Sequence, residues 1–422
     1  MAHSFLLKTF GCKTNQYDSQ LVRECLKRAG FEEVCEGMHT DILLVNNCGV
    51  TRTSIQKAAK FIRKVRRETG ADKIIVFGCL DADEAGIFRK NGSDAVRIGH
   101  DPAEILAAIS PAESAPACRP IIHDFEGHTR AFVKIQNGCD SFCTYCKIPW
   151  YRGRPWSRPA PDIHAEVREL TRANPYREIV LTGTHIGMYG KDLDCEQTLN
   201  TLICSLAAEF TDCRFRLSSL EPLEVPSVIN RVLETPNICP HLHIALQSGS
   251  NRILKRMGRP YTSQRYLEII QSIQEKESKF SLTTDIIVGF PGETEQDLAA
   301  SVQMVRQCGF SKVHVFPFSA RSGTKAAVMK DALSRREKQD RVAILIAAAE
   351  EARAGYLEKL PGEEVAVLAE ERVSPESVRG LCEYYIPVTV TGACAKTGDV
   401  VRVRVTGMED GMLSGAAVRS IH

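Results

Sequence analysis

The sequence predicts an α/β protein in three parts: a parallel α/β domain over residues 1–115, a partial (β/α) barrel over 125–355, and a small antiparallel β-barrel over 360–422. Three observations predict this division. Short apolar runs alternate with helix-periodic stretches from Ser4 to Gly78, and the alternation resumes for longer after an interruption. The interruption, Ser110–Pro120, is rich in Pro, Ala and Ser, as linkers are. Beyond Pro361 and Gly362 the helical period disappears, and Gly392, Gly398, Gly407, Gly411 and Gly415 punctuate short strand-like runs.

The first part reads as strand Ser4–Phe10, helix Gln16–Ala29 ended by Gly30, strand Asp41–Asn47, helix Ser54–Glu68 ended near Gly70, and strand Lys73–Gly78. Strands that alternate with helices pair in parallel. In the second part the candidate strands are Ala131–Gln136, Glu178–Thr182, Arg214–Ser218, His243–Gln247, Ser281–Val288 and Lys312–Phe316. Helical patterns separate them, among them Pro161–Ala173, Leu199–Glu209, Val225–Glu234, Ser263–Glu277 and Glu295–Cys308. Repeats of this kind suit a full or partial barrel. A long charged helix, about Ser334–Leu360, follows. The tail reads as strands Glu364–Ala369, Cys382–Val390, Asp399–Thr406 and Met412–Val418.

Composition excludes several classes. The chain has 422 residues, 43% hydrophobic and 25% charged, which is globular and neither disordered nor fibrous. Its apolar runs are too short to cross a bilayer, and its start lacks the pattern of a secretory signal, so the cytoplasm is expected. A net charge of +2 excludes a strongly basic chain that coats nucleic acid. Sixteen cysteines in a large chain of this kind suggest metal ligands mixed with buried thiols, not a disulfide scaffold.

Two groups of cysteines stand out. Cys139, Cys143 and Cys146 fall within eight residues after a predicted strand. Three thiolates so close can wrap one face of a [4Fe–4S] cube and leave one iron open. Zinc would want a fourth Cys or His nearby, and none follows closely, the next His along the chain being His164. Cys12, Cys48 and Cys79 are distant in sequence, yet each lies just past the C-terminal end of an N-terminal strand. Those ends share one edge of a parallel sheet, where ligands collect, so the three thiols predict a second cluster. The remaining cysteines read as packing residues.

The Cys139-x3-Cys143-x2-Cys146 spacing resembles the radical S-adenosylmethionine superfamily. With three spaced N-terminal cysteines and a β-barrel tail, nearly the whole chain resembles the methylthiotransferases. The stretches FGCKTNQYDS, RAFVKIQNGCDSFCTYC, RLSSLEP, LHIALQSGSNRILKRMGRPY, TTDIIVGFPGET and VFPFSARSGTKAA look like family blocks, and the tail resembles a TRAM domain. FGCKTNQ and IQNGCDSFCTYCKIPWYRG most resemble the branch acting on N6-threonylcarbamoyladenosine, 3′ of the tRNA anticodon.

The resemblance implies two [4Fe–4S] clusters. The Cys139 cluster would bind S-adenosylmethionine at its open iron and cleave it to a radical. The Cys12 cluster would hold or supply the sulfur, which another S-adenosylmethionine methylates. It also implies a tRNA anticodon stem-loop as partner and a flavodoxin- or ferredoxin-like electron donor. Tyr145, Gly183, Glu221, Gln247 and Arg259 then line the S-adenosylmethionine pocket. Rival readings are isopentenyladenosine in tRNA or a ribosomal-protein aspartate as substrate, a radical methylase or lyase whose second cluster only passes electrons, and an RNA-binding iron–sulfur regulator.

Two basic stretches suggest RNA contacts. Tyr151–Arg158 carries Arg152, Arg154 and Arg158 with two aromatics beside the Cys139 motif. Lys60–Lys73 holds six basic and two acidic residues but reads better as a solvated helix face. In the tail, Arg402 and Arg404 alternate on one strand, although the segment from Leu360 onward is net acidic.

Overall fold

Parallel strands dominate the first two-thirds of the chain, and an antiparallel barrel closes it. The computed structural model describes residues 3–49, 52–68, 70–109, 121–125, 127–173, 176–193, 196–330, 333–409 and 411–421. The expected linker Ser110–Pro120, with the domain limit at residue 115, lies outside the described residues.

The N-terminal sheet has five parallel strands in the order Glu32–Glu33, Ser4–Phe10, Ile42–Cys48, Lys73–Cys79, Ala95–Ile98. Its middle strands are buried along their length, so helices must cover both faces. Lys13–Arg28 and Pro102–Ile109 cover one face, and Arg52–Glu68 and Ala82–Lys90 the other. Asp81 caps the last of these with a reciprocal bond to Glu84. Glu32–Glu33, Ala95–Ile98 and Pro102–Ile109 were not legible in the sequence. The two strands have two and four residues, too few for a period to emerge.

Six strand positions build the central domain. Ala131–Lys134, Glu178–Thr182 and Arg214–Leu217 form one parallel sheet. Ser219–Leu220, His241–Ile244, Ser281–Val288 and Lys312–Pro317 form another. Arg214–Leu217 and Ser219–Leu220 are one strand interrupted at Ser218, so the two sheets follow one arc. Among the described residues no pairing joins Ala131–Lys134 to Lys312–Pro317, and the barrel stays open there. Helix Lys13–Arg28 packs along the strand Ala131–Lys134 at that opening, with Tyr17 in the barrel's own core.

The tail is a closed barrel of five strands, not four: Glu364–Ser374, Ser377–Cys382, Pro387–Thr391, Val400–Glu409 and Met412–Ile421. The expected strand Cys382–Val390 divides at a turn in which Tyr385 takes a positive φ of 65°. One pairing, between Pro387–Thr391 and Met412–Ile421, is parallel. The tail docks on the central domain through charge. Glu178 is fully buried and accepts bonds from Arg214 (2.7 Å) and Arg216 (2.8 and 3.1 Å). The same guanidiniums donate to the carbonyls of Ala366, Leu381 and Glu383 in the tail.

Candidate functional site: two cysteine triplets joined by one arginine

Cys48 and Cys79 end neighbouring strands and are register partners, and Cys12 immediately precedes the helix Lys13–Arg28. The strand ends thus meet at one edge, although Cys48 and Cys79 belong to their strands and do not follow them. Gly78 makes this possible. Its φ is +117°, and a Cβ there would lie 2.5 Å from both Asn46 Oδ1 and the Asn47 carbonyl. Asn15 Oδ1 lies 3.2 Å from Cys12 Sγ and 3.9 Å from Cys79 Sγ. His100 Nε2 lies 3.5 Å from the Cys79 sulfur.

The second triplet sits on a loop held from three sides. Gly138 has φ +81°, and a Cβ there would meet the Arg154 carbonyl at 2.1 Å. Cys139 N–H donates to Gly153, Thr144 N–H to Met257, and Ala326 N–H to the Thr144 carbonyl. Arg259 Nη1 lies 3.1 Å from Cys143 Sγ and pairs with Glu221 through its other terminal nitrogen. Its Nε donates to Tyr261, whose hydroxyl donates to the Ala245 carbonyl. Glu221, Arg259 and Cys143 are therefore in one network. Gly183 abuts the Gln136 carbonyl, where a Cβ would come within 2.7 Å. The Tyr145 ring packs against Phe290. Gln247 takes a positive φ of 66° and bridges to the strand Ser281–Val288 by bonds to Asp285 and Ile287.

His185 was missed in the sequence. Its Nδ1 lies 3.7 Å from Cys139 Sγ, and its Nε2 lies 2.7 Å from Glu224. Burial opposes its charge, but its bonds to Cys139 and Glu224 carry the pKa up to about 10. Nothing in Thr184-His185-Ile186 signals this, because the partners come from other strand ends.

Arg152 joins the two triplets. It donates to Asn137 Oδ1 (2.9 Å), just before the Cys139 loop, and to Asn15 Oδ1 (3.1 Å), beside Cys12 and Cys79. It also pairs with Asp18, which is buried with Lys134 and close to His100. Arg152 and Arg158, expected to face RNA, instead turn inward. The side chain of Arg152 is 2% exposed, and that of Arg158 is 13% exposed and bound to Glu166 and Tyr17. Arg154 is exposed and lines one cleft with Phe142, whose exposed ring packs edge-on against Trp150, and Trp156 is exposed two residues further on. Arg402 is exposed as well, and Arg404 is paired with Glu364. The basic positions of Lys60–Glu68 lie on the solvated helix face, several of them in surface ion pairs.

The donor set fits iron–sulfur clusters. All six cysteines are free of disulfides. Burial pushes the Cys79 and Cys146 thiols up to about 12, so a metal must displace their protons to bind. A tetrahedral zinc ion, with Zn–S of about 2.3 Å, would draw thiolates to about 3.8 Å apart. Among the described residues only His243, Asp285 and His314 bring three ligand atoms within 4.8 Å of one another. The wider triplets suit a polynuclear cluster.

Comparison with known proteins agrees. A family model for the Radical SAM superfamily matches residues 133–305, and one for uncharacterized protein family UPF0004 matches residues 4–99. Among solved structures, the radical S-adenosylmethionine methyltransferase TsrM from Kitasatospora setae superposes with a TM-score of 0.57 at 12% identity, covering 78% of this chain and 74% of that one. The fold and the site define a radical S-adenosylmethionine enzyme, a class that works with S-adenosylmethionine and [4Fe–4S] clusters.

Curated relatives narrow the class. The chain is 34% identical to the threonylcarbamoyladenosine tRNA methylthiotransferase MtaB of Thermotoga maritima, over 97% of this chain and 96% of that protein. It is 32% identical to the MtaB of Bacillus subtilis, over 94% and 92%. It is 31% identical to the tRNA-2-methylthio-N(6)-dimethylallyladenosine synthase of Staphylococcus aureus, over 99% and 85%. The chain belongs to the radical S-adenosylmethionine tRNA methylthiotransferase family. No helix among the described residues is long and apolar enough to cross a membrane.

Proposed function

We propose that the protein adds a methylthio group to C2 of N6-threonylcarbamoyladenosine in the anticodon stem-loop of tRNA. The observation that carries this reading is the Arg152 strut between two cysteine triplets, in a chain matching MtaB relatives end to end. Cys139, Cys143 and Cys146 would hold the cluster that engages S-adenosylmethionine, and Cys12, Cys48 and Cys79 the sulfur-handling one. When bound, these groups supply the one-electron chemistry and the sulfur that polar side chains lack, since C2–H is unactivated.

The residues of the chain then have separable tasks. Arg259 supports Cys143 and holds Glu221 at the edge of the S-adenosylmethionine pocket. Gly183 and Gln247 shape that pocket by close approach and by a left-handed turn. The Tyr145 ring is occupied with Phe290, which leaves its backbone to face an adenine. Arg154, Phe142, Trp150 and Trp156 offer charge and ring faces to RNA. A flavodoxin- or ferredoxin-like donor in the cytoplasm would supply the electrons.

The test is mass spectrometry of tRNA nucleosides from a strain lacking the gene, with and without its restoration. We expect 2-methylthio-N6-threonylcarbamoyladenosine to vanish and return, and Cys12→Ala to fail to restore it. Loss of a different methylthio nucleoside instead would move the substrate to the isopentenyladenosine branch.

A further inference from the structure

Lys13 follows Cys12 directly and takes no part in either cysteine triplet or the Arg152 strut. Its ammonium lies 5.4 Å from the centre of the Tyr385 ring, which the tail presents to the central domain. The carboxylates nearby are taken: Glu178 by Arg214 and Arg216, Glu370 by Arg130, and Asp285 by His243. Lys13 has no carboxylate partner among the described residues.

The same ring is crowded with further donors. The guanidinium carbons of Arg130 and Arg216 lie 5.3 and 4.8 Å from its centre, and the His241 ring 4.9 Å. Arg130 Nη1 and His241 Nδ1 are buried without a hydrogen-bond partner. Arg130 Nη1 lies 3.7 Å from Glu178, beyond hydrogen-bond reach. His241 is only 4% exposed. Buried polar atoms left unsatisfied beside an unpaired cation are costly, and a ligand that brings an anionic acceptor removes the cost.

Resting on the substrate reading above, we propose that Lys13, seated on Tyr385, is the specificity residue that pairs with the carboxylate of the threonylcarbamoyl arm. That carboxylate is the only anionic group on the modified base, and an isopentenyl arm has none. The arm's terminal N–H can close a six-membered hydrogen-bonded ring onto N1 of the adenine, which carries the arm toward C2. C2 must face the sulfur-handling triplet, and Lys13 adjoins Cys12 of that triplet. An ammonium there meets the carboxylate of one substrate and lies unpaired against the other, which is how polar sites reject analogues.

The test uses cluster-reconstituted full-length enzyme and synthetic anticodon stem-loops carrying either the threonylcarbamoyl base or its methyl ester. For the wild type we expect KM to rise about 10- to 100-fold on esterification, as loss of a charged hydrogen bond implies. Lys13→Met raises KM for the free acid by the same factor and leaves the ester unchanged, and Lys13→Arg recovers part of the difference. Stem-loop binding by fluorescence anisotropy follows the same order. Iron content and cluster absorbance equal to wild type show that Cys12 is undisturbed. Equal KM for acid and ester in the wild type overturns the proposal without recourse to any variant. So does an equal loss on both substrates in Lys13→Met, the signature of a phosphate contact or a structural role. If the wild type modifies the isopentenyl stem-loop and not the threonylcarbamoyl one, the substrate reading itself fails.

Discussion

The two cysteine triplets solve the same problem in opposite ways. Cys139, Cys143 and Cys146 sit on one loop, so their mutual geometry is set locally and then clamped by Met257, Gly153 and Ala326. Cys12, Cys48 and Cys79 come from three strand ends, and only the pairing of Ile42–Cys48 with Lys73–Cys79 brings two of them opposite each other. A local site is written in spacing and survives if its loop survives. A distributed site depends on sheet register, where a slip by one residue reverses every side chain. The strongest test of this contrast is functional. Cys143→Ala should abolish both reductive S-adenosylmethionine cleavage and methylthio product. Cys79→Ala should abolish the product to the detection limit while 5′-deoxyadenosine, read by chromatography, still forms. Product from Cys79→Ala would end the division of labour between the triplets.

The next largest effect is expected where the triplets are tied together. Arg152→Met leaves Asp18 buried with one cation fewer, and breaking a buried pair in this way costs about 3–5 kcal/mol. Thermal unfolding of the cluster-free protein should register that loss. The pH dependence adds a second readout. Burial raises the pKa of Asp18, but Lys134, Arg152 and His100 outweigh it and hold the carboxyl well below the usual range. Its contribution is therefore present above the ordinary aspartate pKa and is lost as pH falls through the depressed folded value. Without Arg152 the folded value rises, so acid unfolding should begin at higher pH. A variant with unchanged stability and acid midpoint would show that the strut carries no load.

The contrast also explains what was legible in the sequence. The Cys139 triplet announces itself through spacing, and the strand–helix alternation predicts the sheet edge that gathers Cys12, Cys48 and Cys79. Short elements with no period, such as Ala95–Ile98, were lost, and so was the division of Cys382–Val390 by the turn at Tyr385. Long-range polar contacts were illegible for a different reason. Arg152, Arg154 and Arg158 look alike in sequence, yet two are internal and one is exposed, because Arg152 meets Asp18 and Asn15, and Arg158 meets Tyr17, all from one helix more than a hundred residues earlier. His185 was hidden in the same way by Glu224 and Cys139.

A matched pair of glycines sharpens the comparison at smaller cost. Gly78 and Gly138 each precede a cysteine, and each holds a positive φ that a side chain resists. A Cβ at Gly78 meets Asn46 and Asn47, whereas one at Gly138 meets the Arg154 carbonyl. Each alanine substitution should cost about 1–3 kcal/mol through backbone strain. The local consequences should differ. Gly78→Ala should lower iron at the N-terminal triplet only, and Gly138→Ala at the other only. Iron analysis with Mössbauer spectroscopy separates the two, and equal loss from both sites in either variant would show that the triplets are not independent.

The smallest effect should come from Arg154, two residues from Arg152 and its opposite in every respect. Arg154 is exposed and forms no ion pair among the described residues, so its removal leaves no buried charge behind. Arg154→Gln should leave thermal stability within about 0.5 kcal/mol of wild type, as surface substitutions usually do. If Arg154 meets a phosphate, tRNA affinity should fall several-fold at low salt, and the slope of log affinity against log salt should shrink by about 1. Arg152→Met should show the reverse pattern, a large loss of stability with the salt slope unchanged. An unchanged slope in Arg154→Gln would remove Arg154 from the RNA surface, leaving the exposed rings of Phe142, Trp150 and Trp156 to hold the stem-loop by stacking, which salt screens far less.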